Sequence, residues 1–598
     1  MRALLPHPPG LVPVSSSFYP RSDDVAQEYS PVFSVLTDSL EKVFGETEPR
    51  PAELVGGFHA SGFLGEVLSL QLALHLDSDS APDTAPADRV AHARPLEDPT
   101  AAIEVQVSGS AAELVRLSTV RRVPVSSPAP ENADEHYLVT EPGDYPDLLE
   151  PVTEGTVELT PGRWEALWID VIAESEADAG EHEVTITVSD GDGAQVLAEH
   201  TAQVQIHPHR LPELTITNTH WFHADSLSTY YDVEVFSERH WELIRTHLAS
   251  AREMDVNSVL TPTWTPPLDT AEGHTRPVVQ LVGITDTGAG YTFDFSRLDR
   301  WLGICRDLGM RSLEIAHLFT QWGARFTPAI QVRTTEGVED RFGWHVPATS
   351  PAYRRLLEAL IPALREHLDD AWEGEVLWHI SDEPREDQLE PYQAAKEQVA
   401  DLLEGARVVD ALSSYEFARR GVVDTPIVAT NHVGPFLEAG QRPWVYYCVS
   451  QNRDVANRFI ALPSVRNRVL GRQLFAFDAP GFLHWGYNFW WSQFSLRPID
   501  PFEETCAGGG FFGGDAFAVY PGPDGSAWLS IRHRVFAQAM ADHRALTWLA
   551  ELTDPASAKA LIDEGGTLTY SSFSYDVGQH LASRRAVDER ILAALAAR

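Results

Sequence analysis

The sequence predicts a multidomain chain, α/β plus all-β: an N-terminal antiparallel β-sandwich, then a (β/α)8 TIM-like barrel, then a helical C-terminal extension packed on the barrel. Three observations predict it. Residues 1–208 alternate apolar and polar positions in short segments between turn residues, the period-2 pattern of half-buried strands. From about residue 210 the period changes, and short apolar runs alternate with helical patterns, as parallel strands covered by helices do. Eight such runs occur, and eight repeats favour a closed barrel over an open sheet. The expected divisions are 1–208, 209–545 and 546–598, in keeping with a chain of 598 residues that is long for a single core.

The sandwich strands are read at Glu66 to Leu74, Ala102 to Val107, Trp164 to Val171, Glu183 to Val188 and Ala202 to Ile206. Their spacing suits two antiparallel sheets. Between them, 76–99 is rich in Asp, Ala, Pro and Ser and predicts an exposed, mobile loop; 126–135 has a similar character. His207-Pro-His-Arg-Leu-Pro reads as a linker. No catalytic constellation appears in this region, which predicts a support or a carbohydrate-facing accessory.

The barrel strands follow in order: Leu214 to Trp221, Asn257 to Trp264, Ser312 to Phe319, Val376 to Ile380, Ala406 to Ser413, Pro426 to His432, Trp444 to Ser450, and Gly481 to Asn488. Helical patterns at 237–254, 296–309, 351–368, 388–403 and 462–475 separate most of them. A hairpin-like insertion is predicted from Val278 to Phe295, turning at Thr287-Gly-Ala-Gly. A last helix is predicted at 577–597.

Composition bounds the function. Hydrophobic content of 43% and aromatic content of 10% provide ample core, while 45 Lys plus Arg against 87 Asp plus Glu give a net charge of −42. So acidic a chain argues against nucleic acid or an anionic membrane as partner, and is compatible with a neutral ligand such as a sugar. Cys305, Cys448 and Cys506 are too few and too scattered for a disulfide framework or a thiolate zinc site. Met-Arg-Ala-Leu-Leu-Pro-His-Pro-Pro-Gly has no sustained apolar core and does not read as a signal peptide, and no window is apolar enough to span a membrane; a cytoplasmic location is the default expectation.

Barrels of this kind keep their chemistry at the C-terminal strand ends. There the fourth strand runs into Trp378-His-Ile-Ser-Asp-Glu-Pro, placing Asp382 and Glu383 side by side. They are the candidate catalytic residues. The competing reading makes Ser381 or Asp382 a helix cap, with Glu383 complementing the dipole and Pro384 in the first turn. The other strand ends collect His220 and His223, Trp264, His317, His379, Asn431 and His432, Tyr446 and Tyr447, and the run containing His484, Trp485, Tyr487, Asn488 and Trp490. Aromatic faces cover the C–H patches of sugars while His and Asn side chains bind hydroxyls, so His220, His223, His317, His379, Asn431, His432, Tyr446, Tyr447, Trp485, Tyr487, Asn488 and Trp490 are the candidate substrate-binding set. A single aromatic residue at a strand end can equally be core packing. His220 with His223, or His379 with Asp382, could approach a metal, yet no spacing matches a tight motif such as His-Glu-x-x-His, and neither a metal nor another cofactor is expected. Gly508 to Gly514 lacks the Lys-Ser/Thr of a phosphate loop and reads as a flexible rim loop.

These motifs resemble glycoside hydrolase family 123, the β-N-acetylgalactosaminidases. Trp378 to Pro384 is similar to that family's catalytic segment. Residues 465–550 resemble the associated domain of unknown function 4091, through Gly481-Phe-Leu-His-Trp-Gly-Tyr-Asn, Asp515-Ala-Phe-Ala-Val-Tyr-Pro-Gly, Leu529-Ser-Ile-Arg and Ala541-Asp-His-Arg-Ala-Leu. Tyr145-Pro-Asp-Leu-Leu-Glu-Pro and Pro161 to Asp170 are similar to its N-terminal domain. Departures are His484 where relatives carry Arg, His533 in place of a Trp-Glu after Arg532, and Asp542-His in place of Asp-Tyr; they bear on sugar specificity.

The resemblance implies a retaining, exo-acting glycosidase using the substrate's own 2-acetamido group, an exception to the two-carboxylate scheme. Asp382 would polarise the acetamido N–H, and Glu383 would protonate the leaving oxygen and later deprotonate water. The implied partner is a terminal β-linked N-acetylhexosamine. The alternatives are a hydrolase of another β-linked hexose or hexosaminide, and a catalytically silent carbohydrate-binding protein on the same scaffold.

Overall fold

The computed structural model describes residues 32–77, 101–191, 193–563 and 565–598. The N-terminal decapeptide and almost all of the predicted mobile loop at 76–99 lie outside the described residues. Ten strands come first: β1 (Val32–Asp38), β2 (Ala60–Leu64), β3 (Val67–Leu76), β4 (Ala101–Ser108), β5 (Val115–Val125), β6 (Gly143–Pro151), β7 (Thr156–Leu159), β8 (Trp164–Ile172), β9 (Gly180–Asp190) and β10 (Val196–Arg210). They build two sheets around a shared apolar layer in which Leu72, Leu167 and Ile169 of one meet Ile103, Val188 and Val204 of the other.

Two expectations fail here. His207 to Arg210 is the end of β10, which runs on beside β2 through a register shift, so the backbone polar groups of this Pro-containing stretch are partly paired in a sheet. Residues 126–135 are anchored: Asp134 pairs with buried Arg466, and, just beyond, the Tyr137 hydroxyl donates to the Asn452 carbonyl at 2.7 Å.

The barrel closes in chain order from β11 (Thr217–His220), β12 (Ser258–Thr261), β15 (Ser312–Ile315), β18 (Glu375–Trp378), β19 (Arg407–Leu412), β20 (Thr425–Ala429), β21 (Trp444–Tyr446) and β22 (Gly481–His484), eight parallel strands in all. Leu260, Leu377, Val409, Ile427, Trp444 and Leu483 form its interior cluster. The predicted hairpin is present as β13 (Gly283–Asp286) and β14 (Tyr291–Asp294); β16 (Ile330–Thr334) and β17 (Gly337–Phe342), which the sequence did not announce, extend it to four strands.

Helices α1 (Ala224–Tyr230), α2 (Glu238–Arg252), α3 (Ser296–Asp307), α4 (Pro351–Ala371), α5 (Leu389–Glu397), α6 (Tyr415–Arg419), α7 (Gly434–Glu438) and α8 (Ser464–Ala476) intervene. Ser237 and Ser350 cap α2 and α4 by accepting backbone N–H groups, and Pro351 opens α4 where its missing N–H costs nothing. β23 (Tyr520–Pro521) and β24 (Ala527–Ser530) add themselves to the β6 edge of the N-terminal sheet. α9 (Ile531–Leu552) follows, buried along most of its length and continuous past residue 545; α10 (Pro555–Ala560) and α11 (Val577–Ala596) complete the chain.

Candidate active site

Val376, Leu377 and Trp378 make the rest of β18 apolar after its exposed Glu375, and the chain leaves it as an irregular segment stitched to both neighbours. On the β15 side, Leu318 and Phe319 donate to the carbonyls of His379 and Ile380 at 3.0 Å, the Ser381 hydroxyl donates to the Thr320 carbonyl at 2.8 Å, and Trp322 N–H donates to the Asp382 carbonyl at 3.1 Å. On the β19 side, Ile380 N–H donates to Asp410 Oδ1 at 2.9 Å and Glu383 N–H to the Ala411 carbonyl at 3.1 Å. The helical cap reading is overturned: the next helical turn starts only at Glu386, beyond Ser381 and Pro384. Glu383 is instead held at φ = +44°, a left-handed conformation costing a non-glycine residue roughly 1–3 kcal/mol.

The two carboxylates have separate partners. Asp382, 5% exposed, accepts a hydrogen bond from Gln321 Nε2 at 2.7 Å. Glu383 is half-buried and accepts one from the Tyr446 hydroxyl at 2.8 Å, with Cys448 Sγ 4.0 Å from the same oxygen. Burial, reinforced by the Glu383 charge, pushes the Asp382 carboxyl well above its ordinary range. Burial also raises Glu383, while Tyr446 and Arg385 act in the opposite sense.

Beneath the pair lies a buried polar network that the sequence reading did not find. His379 Nε2 is 3.1 Å from Glu314 Oε2, and its Nδ1 is 3.6 Å from Asp410 Oδ1. Glu314 also accepts from Trp221 Nε1 at 3.0 Å and the Ser258 hydroxyl at 2.9 Å, and Tyr392 donates its hydroxyl to Asp410. The available signal was a lone carboxylate inside an otherwise apolar run, in Ser312-Leu-Glu-Ile and in Val408-Val-Asp-Ala.

The structure divides the predicted substrate-binding residues. Tyr446 touches Glu383, and half-buried Trp485 borders the barrel interior with its Nε1 donating to Asp515 at 3.1 Å. Asn431 and His432 are exposed after β20, Asn431 accepting from Gln451 at 3.0 Å. His379 is hydrogen-bonded through Nε2 to Glu314 below the pair, its Nδ1 facing Asp410 without a hydrogen bond, and His317 stacks on it at 4.4 Å with neither ring nitrogen partnered.

The remaining residues of the set are buried against other partners. His220 and Tyr447 lie on the α9 side of the barrel wall, His220 against Arg458 and Phe536, Tyr447 against His484. The Asn488 side-chain amide accepts from the His223 backbone N–H and donates to the His223 carbonyl, Tyr487 is hydrogen-bonded to Ser250, and Trp490 is packed among Tyr230 and His247. Residues that follow a strand alternate between the mouth and the outer layer, which separates Tyr446 from Tyr447.

A rim of strained backbone surrounds the pair. Among the described residues, six of the twelve non-glycine positions with positive φ (Asp269, Trp322, Ala324, Glu383, Phe494 and Ser495) fall in four segments joined here. Gln321, which holds Asp382, accepts from Asp269 N–H at 2.7 Å; Asp269 in turn accepts from Phe494 N–H at 2.9 Å. Trp322 and Phe494 meet edge to face at 5.7 Å, and Phe494 is 37% exposed. These aromatic residues sit outside the strand ends, where a strand-based search does not reach.

Among the described residues no group of three or more His, Cys, Asp or Glu side chains is arranged to hold a metal ion, and no helix is long and apolar enough to cross a membrane.

Comparison with known proteins adds an independent line. The family model of the glycoside hydrolase 123 catalytic domain matches residues 221–549, and no curated protein sequence matches the chain. Among solved structures, a family 123 glycoside hydrolase from Clostridium perfringens, studied for glycolipid glycan hydrolysis, is similar at a TM-score of 0.66 and 13% identity, covering 94% of this chain and 98% of that one. A β-glucuronidase from Ruminococcus gnavus gives a TM-score of 0.29 at 11% identity over 85% of this chain and 69% of that one. With more than half of its length matched by the family model, this chain belongs to glycoside hydrolase family 123.

Proposed function

We propose that the protein is an exo-acting, retaining β-N-acetylgalactosaminidase that uses the 2-acetamido group of its substrate as the nucleophile. The observation that carries this reading is the adjacency of Asp382 and Glu383 at one strand end, each with its own partner, Gln321 for one and Tyr446 for the other. Two carboxylates on neighbouring residues suit neighbouring substrate groups, whereas flanking the anomeric carbon from opposite faces needs separations of about 5–10 Å.

In the first step the acetamido carbonyl oxygen attacks C1, and the C1–O bond to the leaving group breaks. Asp382, as the anion, accepts the acetamido N–H and stabilises the charge developing on the oxazolinium ring. Glu383 gives its proton to the departing oxygen. In the second step water attacks C1, Glu383 takes a proton from it, and the ring opens to restore the acetamido group with retained configuration. Burial raises the proton affinity of the Glu383 carboxyl, in the direction an acid catalyst needs. Trp485, fixed through Asp515, together with Trp322 and Phe494, supplies aromatic surface for the C–H faces of the sugar.

The test compares hydrolysis of p-nitrophenyl β-N-acetylgalactosaminide, β-N-acetylglucosaminide and β-galactoside. The N-acetylgalactosaminide is expected to be cleaved fastest, with the galactoside inert. Equal cleavage of the galactoside would remove the acetamido group from the mechanism. Glycan binding without turnover on any arm would make the chain a silent binding protein.

A further inference from the structure

We infer that Gln321 is a positioning residue for the reaction: locked by the Asp269 backbone, it sets the rotation of the Asp382 carboxylate so that Oδ1 meets the substrate's acetamido N–H. That role rests on the one proposed above for Asp382, and its support is geometric. Gln321 Oε1 accepts the Asp269 N–H at 2.7 Å, and Gln321 Nε2 donates to Asp382 Oδ2 at 2.7 Å. A backbone N–H can only donate, so the amide oxygen must face Asp269 and the amide hydrogens must face Asp382. With Oδ2 engaged from the side, Oδ1 has no hydrogen-bond partner among the described residues. The 5% of Asp382 that stays exposed includes that oxygen.

The clamp is carried by a closed turn after β15. The Ser381 hydroxyl donates to the Thr320 carbonyl, and Trp322 N–H donates to the Asp382 carbonyl. Main chain and side chain of Asp382 are thus gripped by neighbouring residues, Trp322 and Gln321. Thr320 N–H donates to the Phe326 carbonyl, Phe326 N–H to the Thr320 hydroxyl and Ala324 N–H to the Thr320 carbonyl, which ties the turn to itself. Gly323 inside it, at φ = +110°, packs so closely on Gln388 that a Cβ would come within 3.2 Å of that side chain.

The outer anchor is equally fixed. Asp269, left-handed at φ = +39°, accepts Phe494 N–H through Oδ2 at 2.9 Å, and its carbonyl accepts the Ser495 hydroxyl at 2.7 Å. Loops after β12, β15 and β22 therefore converge on one half-buried amide whose free end holds a catalytic carboxylate. The bond from the acetamido N–H to Asp382 strengthens as positive charge grows on the forming ring. A carboxylate left free to rotate loses more in the transition state than in the bound ground state.

The test is a double-mutant cycle on p-nitrophenyl β-N-acetylgalactosaminide with the full chain, comparing wild type, Gln321→Met, Asp382→Ala and the double variant. Methionine keeps the length of the side chain and removes both hydrogen-bonding groups. Gln321→Met is expected to lower kcat about ten- to a hundredfold while KM changes less than about threefold. In the Asp382→Ala background the same change is expected to cost less than about twofold, because the group it positions is gone. A loss of equal size in both backgrounds, as general structural damage produces, would overturn the inference, and so would no loss in either. Gln321→Ala replaces Gln321→Met if the latter does not fold; failure of both to fold would make the contact a structural one and overturn the inference. A wild type inert on the aryl substrate removes the proposed function and this role with it, whereas an active wild type indifferent to Gln321→Met removes this role alone.

Discussion

Glu383 occupies a left-handed backbone position at the end of a buried strand, and Tyr446 holds its carboxyl from across the barrel mouth. Because that hydrogen bond stabilises the anion, Tyr446→Phe should raise the Glu383 proton affinity and move the alkaline limb of kcat/KM to higher pH. Loss of orientation should cost about tenfold in kcat, measurable in the same profile. Asp515, which fixes Trp485, is a second test at this scale. Burial pushes its carboxyl up to about 7 despite Arg458 and Trp485. A carboxyl raised on folding contributes stability that is full below its unfolded value near 4 and is lost as pH rises towards 7. Asp515→Asn should therefore raise Tm relative to wild type at pH 8 and change it little at pH 5, as read by thermal unfolding. Asp382 and Glu383 were legible because a carboxylate pair after an apolar run stands out. Gln321 and Glu314 were not, since they meet Asp382 and His379 from positions 61 and 65 residues away. The surroundings of the histidines were not legible for a related reason: a strand end tells where His220 or His223 stands, but not that it is buried beside Arg458 or Arg276.

Three loop segments, after β12, β15 and β22, carry the strained positions around the site and are tied together through Gln321 and Asp269. Holding them costs conformational energy that the packed barrel beneath can bear. Phe494 presents its ring to solvent at 37% exposure and touches Trp322, so it contributes little to the core. Phe494→Ala should change stability by less than about 1 kcal/mol and raise KM several-fold with a smaller effect on kcat, by steady-state kinetics and thermal melts. At this scale the eight barrel strands were legible in order, because buried parallel strands are short apolar runs separated by helical patterns. α9 was not. Arg532, His533, Arg534, Asp542, His543 and Arg544 are all buried on it, so its sequence lacks the one-sided apolar stripe that marks a surface helix. The β16–β17 hairpin escaped because its strands alternate weakly, Glu339 to Arg341 being polar throughout.

Across the whole molecule, α9 is the seam between the N-terminal sheets and the barrel. Arg532 pairs with Asp147 of β6 through two contacts at 2.8 Å, and the Tyr520 hydroxyl donates to the same carboxylate at 2.6 Å. Arg534 reaches Asp170 of β8 and Glu253 beyond α2, while Arg584 of α11 bridges Glu66, Asp542 and Asp588. Buried ion pairs add modest net stability when intact, yet removing one partner strands the other. Asp147→Ala should therefore destabilise the protein by about 3–5 kcal/mol, read as a lower midpoint in urea. Since β23 and β24 complete a sheet begun by β1, β3, β8, β5 and β6, the N-terminal sheets support the barrel directly. The alternating pattern showed that sheets were present, but not that strands some 380 residues later would join them.

The most direct test of the central claim, catalysis by the substrate's acetamido group under Asp382 and Glu383, is inhibition by the thiazoline analogue of N-acetylgalactosamine, a stable mimic of the oxazolinium ring. The account predicts competitive inhibition at least a hundredfold tighter than by N-acetylgalactosamine itself, lost in Asp382→Asn. A thiazoline that binds no better than the free sugar, on an enzyme that cleaves the aryl substrate, would contradict it.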